Sequence, residues 1–250
     1  IWEGRRPGVE GAMENWPIDL AYPHGELSVK LSKMLENCSR VFVKMGVDSD
    51  VDELIEKEMK TMSRAKQKLG TGPVSIVDPS SKINELRLRK SEAEIELMRH
   101  SAKVASQAHI QAMANTKPGV GEWQLEGIIE GFFKYCKTSG IAYPCIIGSG
   151  DNATVLHYNV NNDTCDEGEI LLIDAGCEYK GYASDITRSW PVNGKFSEAQ
   201  AEIYQVVLDS QLAAIDECRV GRPYDAPHEA ARRVLAEGLI SLGLTNQSLE

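Results

Sequence analysis

No apolar run in this chain of 250 residues approaches the roughly 18 needed to cross a bilayer, so no membrane-spanning helix is expected. Cys-x-x-Cys pairs are also missing. The six cysteines, Cys38, Cys136, Cys145, Cys165, Cys177 and Cys218, are scattered, which at this length predicts reduced thiols rather than a zinc–cysteine site or a disulfide framework. Positive charge is short: 27 Lys and Arg stand against 37 Asp and Glu, leaving a net charge of −10. A phosphate backbone is therefore a poor main partner. The opening residues, Ile-Trp-Glu-Gly-Arg-Arg, carry no apolar signal region and no initiator Met. These features predict a cytoplasmic protein that binds neither nucleic acid nor a membrane.

Hydrophobic residues make up 42% of the chain, enough for one large domain or one domain and part of another. Residues 1–79 have the pattern of a small α/β piece. Glu26–Met34 is helical in pattern, Arg40–Met45 is a short strand, and Asp50–Leu69 is a charged amphipathic helix closed by Gly70 and Gly72-Pro73. Val74–Val77 is a brief apolar run, and Asp78–Ser81 predicts a loop. Residues 80–250 form the second expected domain. Ser91-x-x-Glu94 is a capping box, and Ile95, Met98, Ala102, Ala105 and Ala108 carry a helical stripe to about Ala114. Lys117-Pro118-Gly119 stops it, and a second helix over Glu122–Thr138 is expected to bury Trp123, Ile128, Phe132 and Tyr135. Strands are expected at Ala142–Gly148 and Thr154–Tyr158. The two-helix layout recurs about 105 residues later, from the capping box Ser197-x-x-Gln200 through Gly221-Arg222-Pro223 to a helix over Pro227–Leu242. The first copy is followed by strands and the second by none, which predicts a chain cut at both ends.

Between the two copies lies the segment richest in chemistry, Glu169–Trp190, EILLIDAGCEYKGYASDITRSW. The apolar run Ile170–Ile173 suits a strand buried on both faces, and Ala183–Trp190 runs back as its hairpin partner. A turn at Tyr179-Lys180 puts Asp174 directly opposite Asp185. A turn at Lys180-Gly181 pairs Asp174 with Thr187 and leaves Asp185 as its diagonal neighbour. Side chains alternate along a strand, so both registers put the carboxylates on one face. Opposed like charges there are destabilising unless one protonates or a cation sits between them, which makes a candidate site for a hard divalent ion. The plain alternative leaves one aspartate in a solvated turn and the other capping a backbone amide. Asp174 directly after four apolar residues is an odd place for an idle charge.

At LLIDAGCEYKGYASDITRSWPVNGKFS the chain resembles the aminopeptidase P (Xaa-Pro aminopeptidase) branch of the pita-bread metallopeptidases. The similarity runs upstream through DEGEILLIDAG, YPCIIGSGDNATVLHY, KPGVGEWQLEG and LRLRKSEAEIELMRHSA, and reaches IWEGRRPG. The resemblance implies an α+β fold: part of a pita-bread catalytic domain over 80–250, preceded by the remainder of a smaller α/β amino-terminal domain over 1–79. It implies two divalent ions, commonly Mn²⁺, held by two Asp, one His and two Glu. Asp174 matches the Asp that chelates one ion, Asp185 the Asp that bridges both, and His157 a histidine that contacts substrate near the scissile bond. The implied reaction is release of the N-terminal residue from peptides with proline at position two, by attack of a metal-bridging hydroxide. A homo-oligomer is a candidate state of the full-length protein.

The family's ligand His, both ligand Glu and a further assisting His match no position of this chain, so the fragment alone is expected to be inactive and poorly folded. His24, His100, His109 and His228 read as structural or exposed, and Cys177 as packing. His157 on composition alone would be a satisfied polar residue after an apolar strand. The competing readings are a prolidase-type dipeptidase, a methionine aminopeptidase, for which the upstream domain is superfluous, and a non-catalytic pita-bread binding module.

Overall fold

The computed structural model describes residues 6–70 and 72–245; the first five residues of the IWEGRRPG stretch and the last five of the chain lie outside the described residues. The chain forms two compact units, Ile1–Lys90 and Ser91–Glu250.

The first unit contains α1 (Gly8–Asn15), α2 (Leu27–Leu35), β1 (Arg40–Phe42), α3 (Ser49–Leu69), β2 (Ser75–Val77) and α4 (Ser80–Leu88). β1 and β2 pair in parallel, Val41 opposite Ile76. Leu35, Val41 and Ile55 form its small core, with Leu31, Val43, Met45 and Met59 packed on it. The loop expected at Asp78–Ser81 instead opens α4. Asp78 Oδ1 accepts from the Ser80 N–H at 2.7 Å, and those bonds hold its carboxyl below the usual range. An Asp-Pro-Ser start is compatible with either a turn or a helix, and local sequence does not separate them.

The second unit opens with α5 (Glu92–Asn115) and α6 (Glu122–Tyr135). Both halves of the Ser91/Glu94 capping box are formed. β3 (Gly140–Ile141), β4 (Ile146–Ser149), β5 (Ile170–Ala175), β6 (Cys177–Tyr179), β7 (Tyr182–Ala183) and β8 (Ile186–Pro191) follow, and then α7 (Glu198–Glu217) and α8 (Ala226–Ser241). α7 starts at the second capping box, Ser197/Gln200. Leu171, Ile173 and Ala175 of β5 are buried in one core with Val104, Ala105 and Ala108 of α5 and Leu125, Ile129 and Phe133 of α6.

Three local expectations are corrected. In α6, Trp123 is 51% exposed and Tyr135 87% exposed; the buried stripe is Glu122, Leu125, Ile129 and Phe133. Two stripes of helical period run along that sequence, and the one carried by Leu125, Ile129 and Phe133 faces the core. β5 is not buried on both faces: burial alternates, with Ile170, Leu172 and Asp174 half-buried. Helices cover one side of this antiparallel sheet and the other lines a groove of about 520 Å³ against α7. Thr154–Tyr158 is no strand. A 3₁₀ turn over Gly150–Thr154 runs into it, and Leu156 is 89% exposed.

The buried thiols yield a direct prediction. Burial, reinforced by nearby carboxylates, pushes Cys145 up to about 12 and Cys165 up to about 11. At pH 8 their thiolate fractions are roughly 10⁻⁴ and 10⁻³, and the thiolate is the reactive form. The exposed Cys38 and Cys218 should therefore react rapidly with a disulfide reagent, and Cys145 and Cys165 only after denaturant. Because both values are raised on folding, their contribution to stability is full below the ordinary thiol range and is lost as pH rises through 11 to 12. Peptide mapping that finds Cys145 or Cys165 among the fast thiols would contradict the burial.

Candidate metal centre

The two aspartates meet because the hairpin is divided at Gly176. Its register is that of the Lys180-Gly181 turn: Asp174 pairs with Thr187, Ala175 with Ile186 and Tyr179 with Tyr182. Lys180 and Gly181 take φ of 51° and 85°, the left-handed pair that a two-residue hairpin turn of this hand requires. The two halves of the ribbon belong to different sheets, β5 and β8 to the order β4-β5-β8 and β6 and β7 to the order β3-β6-β7. At the switch Gly176 accepts from the Ala142 N–H at 2.9 Å, and Ser184 N–H donates to Cys177 O at 2.9 Å. A Cβ on Gly176 would stand 1.8 Å from Ser184 O, so only glycine allows the crossing strands this close. Asp185 follows that contact directly.

A residue the sequence reading did not single out joins the pair. Tyr143, between β3 and β4, directs its hydroxyl to Asp174 Oδ1 at 2.5 Å and to Asp185 Oδ1 at 3.2 Å. A phenol has one proton, so it can donate to only one carboxylate at a time. Its pKa is raised, first by burial, then by the hydrogen bond to Asp174 and the charges of both aspartates. The residue heads the stretch YPCIIGSG, which leads into β4, the strand paired with β5 beside Asp174.

Asp174, Asp185, Tyr143 and His157 line one pocket of about 400 Å³ together with Pro144, Ile146 and Asn159. All three residues expected from the sequence thus reach one cavity. Asp174 is half-buried, while Asp185 and His157 are exposed. Two carboxylates and a phenol are hard oxygen donors, which suit a divalent cation. Among the described residues, no group of three or more His, Cys, Asp and Glu is close enough to hold a metal ion. The residues present therefore fit one edge of such a site.

A model of Metallopeptidase family M24 matches residues 96–247. The Xaa-Pro aminopeptidase of Escherichia coli is 36% identical over 98% of this chain and 55% of its own length. Mouse Xaa-Pro aminopeptidase 3 is 34% identical over the whole chain and 49% of its own. The chain thus spans about half the length of these relatives. The structure of Pseudomonas aeruginosa aminopeptidase PepP superposes with a TM-score of 0.93 at 38% identity, over 99% of this chain and 56% of that one. Zinc-substituted E. coli aminopeptidase P in complex with product matches at 0.92 and 35%, over 99% and 56%. The helix-and-sheet arrangement matches the pita-bread domain of aminopeptidase P over the portion present.

Proposed function

The chain belongs to metallopeptidase family M24, and on that premise we propose that it is part of a metal-dependent Xaa-Pro aminopeptidase. The substrate would be a peptide with proline at position two, and the reaction hydrolysis of the bond before that proline. The observation that carries this reading is the convergence of Asp174 and Asp185 on a single tyrosine hydroxyl, in a pocket that His157 also lines.

Asp174 and Asp185 would hold divalent ions, two in number and manganese by preference. When bound, such ions supply Lewis acidity and lower the pKa of water toward neutrality. The chain's own groups do the rest. Tyr143 orients both carboxylates through one hydroxyl and limits their repulsion by offering a proton to whichever needs it. Pro144 and Ile146 give the pocket an apolar wall that suits a pyrrolidine ring. His157, exposed at the pocket, would hydrogen-bond the peptide near the scissile bond. The free thiols among the described residues support a cytoplasmic setting, and no described helix is long and apolar enough to cross a membrane.

Substrate length separates this reading from its nearest competitor. With Mn²⁺ present, the protein in its natural full length should release the first residue of a tripeptide with penultimate proline, and leave the matching alanine tripeptide intact. Cleavage of the Xaa-Pro dipeptide alone would instead assign a prolidase. The absence of a third nearby ligand among the described residues supports the further proposal that the 250-residue chain alone is inactive; the same assay should return no turnover for it.

A further inference from the structure

We infer that Glu122 is the positioning residue for the loop that carries His157, an inference that rests on the proposed reading of the pocket. Glu122 is the first residue of α6 and is fully buried. Its carboxylate accepts four hydrogen bonds from one loop. Oε1 takes the Ser149 N–H at 2.9 Å and the Asn152 Nδ2 at 3.2 Å; Oε2 takes the Tyr158 hydroxyl at 2.8 Å and the Asp163 N–H at 3.0 Å. These donors lie at the end of β4, in the 3₁₀ turn, beside His157 and on the returning segment. One side chain therefore gathers the start, the middle and the end of residues 149–163. All four donors are neutral, so backbone and side-chain dipoles alone balance the charge, together with the N-terminal end of α6.

The loop has little else to hold it at His157. Val155 is 53% exposed and Leu156 89% exposed, so no apolar packing anchors the turn. The second clamp is Asn161, whose Oδ1 accepts from Ile147 N–H and whose Nδ2 donates to Cys145 O. Asn161 fixes the returning segment to β4. The other bonds at Tyr158, the immediate neighbour of His157, come from within the loop: Asn152 Nδ2 donates to its hydroxyl at 3.1 Å and its N–H donates to Val155 O at 3.2 Å, whereas Glu122 ties that hydroxyl to α6.

Glutamine at 122 keeps the volume but turns one acceptor oxygen into a donor. Whichever way the amide points, it faces a backbone N–H, either the buried one of Ser149 or the part-buried one of Asp163, and that donor loses its partner. Hydrogen exchange on Glu122→Gln should show lost protection across residues 149–163, with α5 and β5 unchanged. In the full-length protein, kcat/KM for a penultimate-proline tripeptide should fall about 10- to 100-fold. That loss should vanish in a His157→Ala background, because the clamp acts through His157. Tyr158→Phe, which removes a donor and leaves no buried group unpaired, should act in the same direction but only a few-fold, and serves if Glu122→Gln does not fold. Unchanged exchange in residues 149–163, or an equal loss from Glu122→Gln with and without His157, would overturn the proposal. A wild-type protein that cleaves no such peptide sinks the functional reading, and the exchange result then upholds or overturns the clamp by itself.

Discussion

Asp185→Asn should abolish peptide hydrolysis and at the same time make the metal-free protein more stable. The two effects have opposite signs because one charge does opposite things in the two states. Without a cation, Asp185 and Asp174 share a single phenolic proton. Two like charges on one face of a ribbon cost up to about 1 kcal/mol when exposed, and more as they are buried. Asparagine keeps the shape and still offers an oxygen to Tyr143, but removes the repulsion. Melting in chelator should therefore rise, by roughly 2–4 °C per kcal/mol for a chain of this size. With manganese the same exchange removes an anionic ligand. In the full-length protein kcat/KM for a penultimate-proline tripeptide should fall by about 10³-fold or more, equivalent to roughly 4 kcal/mol of transition-state stabilisation. Paired melts with and without manganese check the sign change. Undiminished hydrolysis by Asp185→Asn would falsify the metal assignment.

The parts of this site that were legible in sequence are those set by short-range rules. Both capping boxes, at Ser91 and Ser197, were read from two residues each and are formed. Strand alternation puts Asp174 and Asp185 on one face in either register, and the observed register is the one whose turn places a glycine, Gly181, at a left-handed position. What escaped depends on partners distant in sequence. Tyr143 meets the aspartates 31 and 42 residues away. Glu122 is a charged residue at a helix start, ordinarily exposed, and only the fold brings the loop of residues 149–163 over it. Thr154–Tyr158 finds no partner strand among the described residues, and its end is tied to the carboxylate of Glu122 through Tyr158. Trp123 and Tyr135 stand on the apolar stripe of α6 that turns outward, because its face is decided by Leu125, Ile129 and Phe133 packing against α5.

The largest structural effect is expected from a single methyl group. On Gly176, a Cβ would sit 1.8 Å from Ser184 O, 2.6 Å from Ser184 C and 3.1 Å from the Tyr143 ring. The first two are backbone atoms of the opposing strand and cannot swing aside as a side chain would. Gly176→Ala must therefore push the two strands apart where the ribbon changes sheets. Overpacking of this kind costs about 3 kcal/mol or more, or roughly 6–12 °C in the melting of the second unit. Gly127→Ala is the control, because it sits inside α6 with nothing within 4 Å of the new methyl. There alanine should stabilise, by about 1 kcal/mol, since glycine is the poorer helix former. The same methyl thus has opposite signs at two glycines of one unit, set only by what lies in front of it. Gly176→Ala should also cost function beyond its cost in stability. Asp185 directly follows Ser184, the residue displaced, so its carboxylate leaves the Tyr143 hydroxyl and Asp174. In the full-length protein, folded and below the melting range, manganese affinity should fall along with activity. A Gly176→Ala protein that melts within about 2 °C of wild type, equivalent to no more than about 1 kcal/mol, would show that the ribbon has slack at this crossing that the 1.8 Å approach denies.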